Sequence, residues 1–128
     1  MPTTTTMNQP SNIESLAYAV TQKYGLEKCF PCVNELKRVF KANGIHGQIL
    51  KLSTQGGRGF IVMKNPQALL PFHVASDTAI SRNGAHFGVQ VGDHVFENIH
   101  RKGIPRVNWE LQFDCDAHIF TVTVFELF

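Results

Sequence analysis

The chain has 128 residues, 43% of them apolar, a formal net charge of +2 and three cysteines. That length supports one domain with its own core and needs no metal or disulfide staple. The small charge, without a run of Lys or Arg, speaks against nucleic-acid and membrane partners; no stretch is apolar for long enough to span a bilayer, and an odd cysteine count argues against a secreted disulfide scaffold.

Residues 1–11 read as a disordered polar tail without a signal-peptide pattern, and residues 12–128 as a single domain. "SNIESLAYAVTQKYG" predicts a helix, with Ser11 or Asn12 as cap, Ile13, Leu16, Ala17 and Val20 as its apolar stripe and Gly25 as its end. A second helix is expected from Pro31 to Asn43, because proline suits a first helical position whose N–H has no partner anyway. Beyond it the period shortens. "GQILKLST" and "GFIVMKN" predict two strands joined by the hairpin loop "QGGRG", "PQALLPFHVASD" is ambiguous, and "AHFGVQV" and "HVFENIH" predict strands around Gly92-Asp93. A short helix in "PRVNWELQF" and a closing strand in "HIFTVTVFELF" complete an α+β chain, helices first and a mostly antiparallel sheet after.

"KCFPCVNELKRVF" carries the first chemistry. Cys29 and Cys32 have the spacing of a thioredoxin-like redox pair, but a helical and then polar segment precedes them where that fold places a buried strand. Zinc needs further ligands in a spacing the chain lacks, so no metal or cofactor is expected. A single nucleophile needs only a histidine base and a group to orient it. Cys32, just inside the expected helix start, gains the dipole and unpaired N–H groups; Cys29, before it, gains less, and oxidation to a Cys29–Cys32 disulfide would switch the nucleophile off.

The base comes from "NGAHFGVQVGDHVFENIH". His86, Gly88 and Gln90 share one strand face, and Gly88 leaves space beside the imidazole. A two-residue Gly92-Asp93 turn brings Glu97 to the histidine's face, whereas a three-residue loop sets Asn98 opposite it. Asn83-Gly84 reads as a turn able to line a cleft, Trp109 as core, and Arg101-Lys102 as a solvated charge pair; His46, His73, His94, His100 and His118 follow no pattern.

These residues carry a resemblance. "F-x-C" at a helix start, a Gly-x-His-x-Gly-Val strand and the following Val-Phe-Glu-Asn-Ile strand resemble the bacterial papain-fold toxin domains, in particular the papain fold toxin 2 group, over about residues 24–113. Glu97 stands where that group is expected to have Asp. The resemblance implies a papain-like α+β fold with the catalytic cysteine at a helix N-terminus, and a cysteine hydrolase (peptidase, amidase or deamidase). It places the nucleophile on Cys32 and the base on His86. Bacterial cell-wall cysteine peptidases of the same broad fold have their third residue twelve positions after the histidine, here Asn98. It further implies a protein or peptide substrate, a cognate immunity protein as possible partner, and a cytoplasmic location or delivery into a target cell. Papain-like enzymes use a glutamine upstream of the cysteine as an oxyanion donor, which would make Gln22 the candidate. The alternative functions are a catalytically silent binding module of the same fold and a CxxC oxidoreductase.

Overall fold

The computed structural model describes residues 10–64 and 79–128. The polar residues 1–9 and all of "PQALLPFHVASD", with His73, lie outside them. Helix α1 runs Pro10–Thr21 and buries Ala17 and Val20, so Ser11 and Asn12 fall inside its first turn. Helix α2 runs Cys29–Ala42, two residues earlier than the position of Pro31 suggests. Proline is tolerated here because none of the first N–H groups of a helix has an intrahelical acceptor. Its Cys32, Val33, Leu36 and Phe40 are fully buried and turn one stripe to the protein interior.

The strands are β1 Gln48–Thr54, β2 Ile61–Met63, β3 Ala79–Ser81, β4 Ala85–Val91, β5 His94–Phe96, β6 Ile104–Pro105, β7 Phe113–Asp114 and β8 Phe120–Leu127, with a one-turn helix α3 at Arg106–Trp109. They form a five-stranded sheet in the order β6-β5-β4-β1-β8 and a three-stranded sheet in the order β3-β2-β7, each pair antiparallel. The expected β1–β2 hairpin is therefore absent. Between them Gly56, Gly57 and Gly59 take positive φ, a conformation costly for other residues, and the 3-10 turn Gln55–Gly57 carries the chain from one sheet to the other.

The large sheet is covered on both faces over β1, β4 and β5, while its edge strand β8 stays largely exposed. Ile49, Val89 and Phe96 pack with α1 and α2, while Leu50, Leu52 and Val95 pack with Trp109 and the small sheet's Ile61, Met63, Ile80 and Phe113. Gly88 makes the second layer possible: a Cβ there would lie 2.6 Å from Val95 Cγ1 and 3.1 Å from Trp109 Cζ2. The space left beside His86 is filled by that indole. Gly88→Ala is accordingly expected to cost about 1–3 kcal/mol by overpacking, read as a fall in the thermal unfolding midpoint.

Candidate active site

β4 and β5 pair as Val89↔Phe96, Gln90↔Val95 and Val91↔His94, the register of a two-residue Gly92-Asp93 turn. That register brings Glu97, the first residue after β5, to the face of His86. Both side chains are fully buried, and His86 Nε2 lies 2.5 Å from Glu97 Oε2. A buried carboxylate is costly unless its lone pairs are taken, and here they are. Oε2 also accepts from Trp109 Nε1 at 3.3 Å, while Oε1 accepts from the Ile99 N–H at 3.0 Å, from the His100 N–H, and from His100 Nδ1 at 3.0 Å. Burial alone would raise the Glu97 carboxyl pKa, but the charge of His100 and His86 and the hydrogen bonds from both imidazoles hold it well below the usual range. His100 thus belongs to the site. A histidine three residues after a carboxylate in a turn was the only sign of it in the sequence.

The His86 ring also interacts with the Cys29 thiol. With Nε2 taken by Glu97, Nδ1 is the nitrogen left to the thiol, and it makes no hydrogen bond of regular geometry. Between thiol and ring the interaction is chiefly one of charge. Burial pushes the Cys29 thiol pKa up. The positive imidazole, its hydrogen bond and the Phe87 backbone outweigh that, and the net shift is downward. Burial likewise opposes charge on His86, yet Glu97 and Cys29 together raise its pKa to about 10. Cys29 opens α2, where the first-turn N–H groups and the helix dipole favour a negative charge. The arrangement suits a thiolate–imidazolium pair with the carboxylate behind it.

Neither of the other two sequence candidates meets His86 in this way. Cys32, a turn further into α2, is fully buried in the apolar layer beneath the helices. Burial, followed by the negative Glu97 and Cys29, drives its thiol far above the ordinary value. Asn98 points away: its Nδ2 donates to Gly25 O at 2.7 Å, and its backbone carbonyl accepts from Arg101 Nε at 3.1 Å. Arg101 Nη2 in turn reaches Tyr24 O at 3.0 Å, so this arginine braces the α1–α2 connection and is not a solvated charge. Asn98 and Arg101 fix the turn that delivers Cys29.

Cys29 lines a cleft of about 180 Å³. Phe30 and Phe87, with ring centroids 4.9 Å apart, form an aromatic wall that Phe125 extends, and Glu27, Arg82 and Asn83 form a polar one. Gln22 does not border the cleft. A larger cavity, about 440 Å³ between α1 and the β4–β5 turn, holds no cysteine. Among the described residues no His, Cys, Asp or Glu side chains are grouped to hold a metal ion, and no helix is long and apolar enough to cross a membrane.

Residues 12–114 match the sequence model of a protein family described as papain fold toxin 2. No curated protein and no solved structure matches the chain.

Proposed function

We infer, since this chain belongs to the papain fold toxin 2 family and has its papain-like α+β fold, that it is a cysteine hydrolase cleaving amide bonds of a protein or peptide. Cys29 is the nucleophile, His86 the base and Glu97 the residue that orients and charges the base. The observation that carries this reading is the fully buried Glu97–His86 pair backing a thiol at the first residue of a helix.

The steps follow from the groups present. The Cys29 thiolate, its proton held on His86, attacks the carbonyl carbon; the C=O π electrons move to oxygen, and the Cys29 N–H, free of an intrahelical acceptor, faces the developing charge. The tetrahedral adduct collapses, the C–N bond breaks, and the leaving nitrogen takes the proton from His86. Water, deprotonated by His86, then adds to the thioester and expels the Cys29 sulfur. Glu97 stays ionised throughout and stabilises the imidazolium. A toxin acting in this way requires a cognate immunity protein in the cell that makes it, and we include that partner in the proposal.

Incubating the purified chain with an unfolded protein and with a glutamine-bearing peptide tests this. A peptidase releases new amino termini, a deamidase releases ammonia, and either product should vanish when Cys29 is stoichiometrically alkylated. Product formation that survives the alkylation rules the reading out. Fast Cys29 alkylation without turnover on either substrate favours the silent binding module.

A further inference from the structure

A tetrahedral oxyanion needs more than one donor for strong stabilisation, and the Cys29 N–H supplies one. The second has to reach the same cleft from another element and must not already be spent on the protein. Asn83 meets both conditions. It lies in the turn between β3 and β4, three residues before His86, and lines the cleft together with Cys29. Its Oδ1 faces inward, 3.3 Å from the Ala85 N–H and 2.8 Å from Ser81 Oγ, whose hydroxyl proton is shared with Ala85 O at 2.6 Å. Because the Ala85 amide can only donate, the atom facing it is the carbonyl oxygen, which leaves the two Nδ2 hydrogens on the exposed side, where they make no hydrogen bond among the described residues.

The turn is also held in place. Gly84 takes φ +76° and packs so closely that a Cβ would lie 2.4 Å from the Arg58 backbone nitrogen. Gly84 O accepts from the Thr54 N–H at 2.9 Å, and Asn83 forms a backbone bridge with Gly59. A donor fixed by such a turn is preorganised, so little reorganisation is needed when charge develops on the substrate oxygen.

We propose that Asn83 Nδ2 is the second oxyanion donor, completing with the Cys29 N–H the site that stabilises the tetrahedral adduct. This rests on the reading of Cys29, His86 and Glu97 as the reacting groups. It also places the donor after the nucleophile in the chain, where the resemblance to papain-like enzymes places it before.

N-acetylglycinal separates the two claims. Its carbonyl carbon bonds to the Cys29 sulfur and the π electrons move to oxygen, giving a hemithioacetal oxyanion with no leaving group while the proton stays on His86. Iodoacetamide reacts with the same thiolate by displacing iodide, without forming an oxyanion. Asn83→Ala is expected to weaken aldehyde binding about a hundredfold while leaving the iodoacetamide rate at Cys29 unchanged. Asn83→Asp, which keeps the contacts to Ser81 and Ala85 but offers no donor, should lose at least as much affinity, and it serves alone if the alanine variant does not fold. Aldehyde affinity within about threefold of wild type in the folded variants, with fast alkylation intact, overturns the proposal. A wild-type Cys29 that alkylates no faster than a free thiol overturns the reading beneath it, and this proposal with it.

Discussion

Cys29→Ser is expected to lower amide hydrolysis by on the order of a thousandfold or more, while Cys32→Ala leaves the rate near that of the wild type. A serine hydroxyl has a far higher pKa than a thiol, so the stored thiolate–imidazolium pair disappears with the sulfur. Cys32 has neither a lowered pKa nor access to the cleft; it fills space among Val33, Leu36 and Phe40. Its truncation is a small core deletion, seen in the unfolding midpoint and not in the rate. Parallel assays of the two variants make the comparison, and a Cys32→Ala enzyme that falls as far as Cys29→Ser refutes the assignment.

The second large effect is expected at the buried pair. His86→Ala removes the proton carrier and should reduce hydrolysis on the order of a hundredfold or more. Glu97→Gln should act in the same direction although it keeps shape. All five groups facing the carboxylate present N–H donors, on both oxygens, and an amide sets its NH2 against one set or the other. Breaking a buried charge pair of this kind typically costs about 3–5 kcal/mol, measurable by urea unfolding.

The pH dependence of that stability carries opposite signs for the two partners. Glu97, with its folded pKa well below 4.5, contributes stability that is present above about pH 4.5 and is lost as pH falls through the folded value. His86, raised from 6.5 to about 10, contributes stability that is full below its ordinary value and is lost as pH rises through about 10. Urea titrations of wild type and the two variants should show the alkaline loss missing in His86→Ala and the acid loss reduced in Glu97→Gln.

The α+β order, both helices, the strands β1, β4, β5 and β8, and the place of His86 on β4 were legible because periodicity and turn chemistry are local properties of the chain. Where the sequence misled, the deciding facts were of a different kind. Pro31 was read as the first helical residue, yet the absence of intrahelical partners extends through the first turn, so the helix starts at Cys29 and the dipole acts there. Asn98 and Glu97 were separated only by one residue of strand register, and the tight Gly92-Asp93 turn selects Glu97. The glycine loop at 56–59 looked like a hairpin because glycine clusters mark turns, without saying whether the next strand returns to the same sheet. His100 carried no periodic signal at all; only the folded turn after β5 brings its ring to Glu97.

Residue-resolved alkylation of the native protein by iodoacetamide across pH, read by mass spectrometry of the peptide containing both cysteines, separates the two thiols. Cys29 is expected to react fast, with a rate that rises with pH through a midpoint below that of an ordinary thiol, while Cys32 stays unmodified until the protein unfolds. A fast Cys32, or a Cys29 whose rate rises only through the ordinary thiol range, contradicts the assignment of Cys29 as the nucleophile.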